Sequence, residues 1–138
     1  MSHAIGIDFG GTQIKSGRVD NGTIVQRGKA IETQECGGTG AILDALVRVV
    51  EELRDAGPSD VIALGVGLPG IVDSVRGVVH ELTNVPGWED VALRDLLIER
   101  TGLPTTIEND ANAMAYGEFK HGAARDGRHV VCITLGTG

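Results

Sequence analysis

The chain has 138 residues, 41% hydrophobic and 22% charged, which suits a folded globular domain and excludes a disordered segment. A net charge of -7, with no Lys/Arg run, argues against any partner that presents a phosphate backbone, so no nucleic-acid partner is expected. No apolar stretch reaches membrane-spanning length and the N-terminus lacks the sections of a signal peptide, so no membrane partner and a cytoplasmic location are expected.

In chain order, Ala4–Phe9, Thr12–Val19 and Thr23–Ile31 read as successive strands, separated by Gly10-Gly11 and by the hairpin signal Asp20-Asn21-Gly22. Ala41–Leu53 carries apolar residues at helical spacing and is closed by Gly57-Pro58. Val61–Val66 is a continuous apolar run, as in a buried parallel strand. Short strands are expected at Ile71–Asp73 and Val78–Glu81, around a turn at Arg76-Gly77. A helix over Val91–Glu99, a strand at Thr105–Glu108, a helix over Ala111–His121 and a last strand at Val130–Leu135 complete the pattern. An antiparallel meander followed by βα crossovers predicts an α/β fold with a mixed sheet flanked by helices. The last strand runs straight into Gly136-Thr137-Gly138, which leads us to expect a fragment, or the ordered part, of a longer protein.

Aromatics are only 3%, so the core must be built from Val, Ile, Leu and Ala, while the 21 glycines are about double the usual share. The only two cysteines, Cys36 and Cys132, lie far apart without a nearby metal-ligand partner and read as reduced thiols. The four histidines show no ligand spacing.

Three stretches carry chemistry. In GIDFGGTQIK, from Gly6 to Lys15, the glycines let backbone amides approach an anion; Asp8 suits Mg²⁺ or its waters and Lys15 suits terminal phosphate charge. A plain Gly-Gly hairpin is the alternative. It is no Walker loop, since G-x-x-x-x-G-K-[ST] is absent and β-rich sequence follows. Gly65-Val66-Gly67-Leu68-Pro69-Gly70 matches the dinucleotide spacing, yet Pro69 and the β-like Ile71-Val72-Asp73 stand where a helix should begin. In Glu108-Asn109-Asp110-Ala111-Asn112-Ala113, a strand becomes a helix; Asp110 suits a general base and Asn109 a hydrogen-bond partner for a polyhydroxylated ligand, with ordinary helix capping as the alternative. Asn84 and Trp88, in LTNVPGW, are candidates for a sugar site.

Taken together, DFGGTQIK, LPG, LTNVPGW, ENDANAMAYGE and the terminal LGTG resemble, in order, the ROK (repressor, open reading frame, kinase) family of sugar kinases and repressors. The resemblance covers nearly the whole chain. It implies an actin-like ATPase (ribonuclease H-like) lobe with a mixed five-stranded sheet, residues 1–127, followed at 128–138 by the first strand and phosphate turn of a second lobe. By the same resemblance, Asp8, Gly10, Gly11, Thr12 and Lys15 form the first phosphate motif, Asp8 toward Mg²⁺, and Gly136, Thr137 and Gly138 begin the second. Gly70, Asn84, Asn109 and Asp110 would line the hexose site, with Asp110 as the base.

The implied activity is ATP-dependent phosphorylation of a hexose, such as glucose at O6, by a protein that is a homodimer at full length. The alternatives are a sugar-sensing module without catalysis and a polyphosphate-using glucokinase. The first phosphate motif begins within ten residues of Met1, so no repressor's helix-turn-helix is expected ahead of it and a kinase is the expected activity. Any structural zinc is expected in the second lobe, and residues 1–138 alone are expected to be inactive.

Overall fold

The computed structural model describes residues 2–57, 60–83 and 85–135. Strand β1 (His3–Phe9) alternates, burying Ile5, Ile7 and Phe9 on one face and turning Ala4, Gly6 and Asp8 to the other. The chain turns at Gly10-Gly11 and returns as β2 (Gln13–Asp20), antiparallel, with Phe9 opposite Ile14 and Asp8 opposite Lys15. Asn21 and Gly22, both at positive φ, carry the next turn into β3 (Thr23–Arg27).

The expected single strand over Thr23–Ile31 is broken. Gly28 donates its N–H to the Ser16 carbonyl at 2.9 Å, and a side chain there would collide with Ser16 Oγ. Beyond this point the two-residue β4 (Ile31–Glu32) pairs with the start of β2, and a short 3-10 helix follows at Thr33–Cys36.

Helix α1 (Thr39–Asp55) buries Ile42, Leu46, Val49, Val50 and Leu53 along one stripe. It leads to β5 (Val61–Leu68), which runs parallel to β1, and β9 (Thr105–Asn109) runs parallel to β5 in turn. The mixed sheet therefore has the order β3-β2-β1-β5-β9; the short β4, beside β2, adds a sixth strand to the five expected.

A separate three-stranded sheet is formed by β6 (Gly70–Asp73), β7 (Val78–Leu82) and β8 (Glu89–Val91). β8 takes in Val91, which read as the first residue of a helix. Val91 pairs with Val79 and Glu89 with Glu81, while Asp90 sits at φ 51, so helix α2 begins later and spans Leu93–Thr101. Gly102, in the left-handed region, closes α2 by donating its N–H to the Ile98 carbonyl.

Helices α1 and α2 join the inner sheet face in one core, with Leu64, Val66, Leu68 and Ile107 beside the β1 residues. Trp88 is buried here, its ring 6.1 Å from that of Phe9. Helix α3 (Asp110–His121) lies on the other face: a Cβ on Gly67, which alternates with buried Val66 and Leu68, would stand 3.6 Å from Asp110 Cα. No residue of α3 is fully buried.

Residues 130–135, expected as a strand, have no strand structure. Val131, Ile133 and Leu135 are exposed, and the order of the main sheet ends at β9. A β-rich composition makes no strand without a partner to hydrogen-bond.

Candidate functional site

The alternation that builds the core also builds a second surface. Asp8 on β1 stands opposite Lys15 on β2 and Gly67 on β5, and Gly67 stands opposite Glu108 on β9. Lys15, Asp8, Gly67 and Glu108 thus form one row across four strands, on the face turned away from α1 and α2. The next row, Gly17, Gly6, Gly65 and Thr106, has almost no side chain. Both rows line a single open cleft of about 1440 Å³. The row of Asp8, Gly67 and Glu108 lies toward the carboxyl ends of the parallel strands, where ligands of open α/β sheets bind.

The first turn of α3 stands over the acidic end of this row, because Gly67 leaves room for it. Asn109 is the N-cap: its Oδ1 accepts from Ala111 N at 3.0 Å and Asn112 N at 3.2 Å. Its Nδ2 donates to the Gly70 carbonyl at 3.1 Å. The Asp110 carboxylate accepts from Ala111 N through Oδ1 and lines the cleft. Glu108 Oε1 accepts from Asn109 N at 2.8 Å and from Asn112 Nδ2 at 3.2 Å. Gly70 has φ 134, and a Cβ there would collide with the Glu81 carbonyl, so the position requires glycine.

The glycine turn between β1 and β2 is closed on itself. Gly10 donates its N–H to the Gln13 carbonyl at 2.9 Å, and a Cβ on Gly10 would stand 2.6 Å from that oxygen. Thr33 clamps the turn from outside: Thr33 Oγ1 donates to the Gly10 carbonyl at 2.8 Å and Thr33 N to the Thr12 carbonyl at 2.8 Å.

Of the residues singled out in the sequence, Asp8, Lys15, Gly70, Asn109 and Asp110 meet around the one cleft. Gly10, Gly11 and Thr12 belong to the turn that follows Asp8 and are not among the lining residues. Asn84, Gly136, Thr137 and Gly138 lie outside the described residues. Trp88 is core, 1% exposed, and forms no wall of the cleft. Glu108, Asn112 and Thr33 were missed. The spacing of Glu108 and Asn112, four residues apart across a strand-to-helix junction, was the available signal for two of them.

Among the described residues, no group of three or more His, Cys, Asp or Glu side chains could hold a metal ion. That donor set does not suit an all-protein metal cage. One cleft-facing carboxylate, Asp8, does suit Mg²⁺, which commonly binds through one or two carboxylates with waters and phosphate oxygens. No described helix is long and apolar enough to cross a membrane.

Comparison with known proteins places this arrangement. The chain is 40% identical, over its whole length, to a glucokinase of Streptomyces coelicolor, of which it spans 42%. It is 30% identical over 99% of its length to the xylose repressor of Bacillus subtilis, spanning 35% of that protein. The crystal structure of a ROK family glucokinase from Streptomyces griseus, in complex with glucose and AMPPNP, superposes on 99% of the chain with a TM-score of 0.87 and 39% identity, the chain spanning 42% of it. The chain thus covers about two fifths of such relatives. The profile of the ROK family matches residues 4–138, and the chain belongs to that family.

Proposed function

We propose that the intact protein transfers the γ-phosphoryl group of ATP to a hexose, with glucose at O6 as the leading acceptor. The observation that carries this reading is the convergence of Asp110, Asp8 and Lys15 on one cleft, from three separate elements. A base, a metal-directed carboxylate and a phosphate-directed cation are the parts that phosphoryl transfer needs. The likeness to a glucokinase bound to glucose and an ATP analogue supports the choice of both substrates.

In this reading Asp110 accepts the proton of the acceptor hydroxyl through its carboxylate at the start of α3. Its Oδ1 accepts from Ala111 N at 2.8 Å. Asn109, with one amide hydrogen left after its contact with Gly70, and Asn84 hold sugar hydroxyls, and Gly70 shapes the floor. Lys15 neutralises terminal phosphate charge. Since the Gly10 amide is used within its own turn, Gly11 and Thr12 are the residues that offer amides to phosphate. Gly136, Thr137 and Gly138 supply the opposing phosphate turn. Mg²⁺, held at Asp8 directly or through water, would add charge neutralisation between the phosphates. Positioning and electrostatics carry most of such a barrier.

The similarity to a xylose repressor favours a second reading, a sugar sensor of the same fold without catalysis. An ADP-release assay of the intact protein against a panel of hexoses and N-acylhexosamines separates the two. A kinase gives sugar-dependent ADP release; a sensor gives sugar binding without it. A parallel arm with polyphosphate in place of ATP identifies the donor.

A further inference from the structure

We infer that Asn109 is a positioning residue, a latch that ties the separate β6–β7 hairpin to the first turn of α3 and so fixes the direction of Asp110. Two backbone amides, Ala111 N and Asn112 N, point at one end of its carboxamide, so that end is the oxygen. The other end is therefore the NH₂ group, and it meets a carbonyl, that of Gly70, at 3.1 Å. One side chain thus closes two contacts at once, a local helix cap and a bond across 39 residues of sequence.

Both ends of the latch are stiff. Gly70 holds φ 134 against the Glu81 carbonyl, in a conformation closed to other residues, and Thr83 N donates to the Pro69 carbonyl beside it at 3.1 Å. On the other side, Glu108 Oε1 grips Asn109 N and Asn112 Nδ2, so the cap residue cannot swing without breaking several bonds. The small sheet has its own strand order, separate from that of the main sheet, and among the described residues the Asn109 side-chain bond joins it to the turn that bears Asp110. The effect on catalysis rests on the kinase reading; the latch itself does not.

The test uses the intact protein with Asn109→Ser and Asn109→Asp. Both keep an oxygen able to cap α3, and both remove the Nδ2 donor to Gly70. Hydrogen–deuterium exchange is measured without sugar or nucleotide on peptides covering residues 70–82 and 110–121. Exchange over 70–82 is expected to rise roughly 5- to 10-fold in both variants, the effect of one lost hydrogen bond, with 110–121 unchanged. No rise over 70–82, or a rise confined to 110–121, overturns the latch. In turnover, kcat is expected to fall about tenfold, as for a misaimed base, in addition to any rise in sugar KM from the lost amide contact. A raised KM with normal kcat would make Asn109 a sugar ligand only and overturn its positioning role. An intact wild-type protein without kinase turnover would defeat the kinase reading, and the exchange measurement alone would then decide the latch.

Discussion

The two faces of the main sheet are made by the same strands and have opposite chemistry. On the inner face Ile5, Ile7, Phe9, Leu64, Val66, Leu68 and Ile107 are sealed under α1 and α2. On the outer face the intervening positions are Gly6, Asp8, Gly65, Gly67, Thr106 and Glu108, and they line an open cleft. A strand with period two can serve stability and chemistry together, because changing one face leaves the other in place. Stability should therefore respond to inner-face substitutions, and ligand chemistry to outer-face ones.

Three substitutions probe that division. Trp88→Ala removes a buried ring packed on Phe9 and is expected to cost ~3–5 kcal/mol in urea unfolding. A loss under 1 kcal/mol would mean the small sheet is not welded to the core through this ring. Gly10→Ala is intermediate, at ~1–3 kcal/mol, because its Cβ would press on the Gln13 carbonyl oxygen. It should also weaken nucleotide binding, measurable by calorimetry, since the turn that carries Gly11 and Thr12 must shift. Gly65→Ala is the mildest, within about 0.5 kcal/mol, because its new methyl group would meet only Thr106 Oγ1, at 3.9 Å. A large loss of stability there would contradict the view that the outer face is open at Gly65, beside the part of it that α3 covers.

Much of this division was legible in the sequence. Alternation in Ala4–Phe9 marked both faces of β1, and Gly10-Gly11 marked the hairpin that sets Asp8 opposite Lys15. The helical stripe of α1 and the strand-to-helix junction at Glu108–Asp110 were legible for the same reason: they are set by residues close in sequence. The break at Gly28 was not, because it depends on Ser16 of the neighbouring strand. β8 was hidden inside an apparent helix start, since Val91 gains a strand partner, Val79, only after the hairpin has folded. Residues 130–135 show the converse, an apolar run with strand propensity and no strand partner among the described residues. Trp88 was read as either packing or a sugar wall, and its contact with Phe9 decides for packing. The bond from Asn109 to Gly70 is equally non-local, and local sequence shows only the cap.

The central claim is that the Asp110 carboxylate acts as the base of a sugar kinase. Asp110→Asn keeps the size of the side chain and an oxygen for Ala111 N, and removes the basic group. In the intact protein it is expected to bind sugar normally, by calorimetry, and to lose roughly 10² or more in kcat, the scale of a lost general base. Near-normal turnover in that variant would contradict the account.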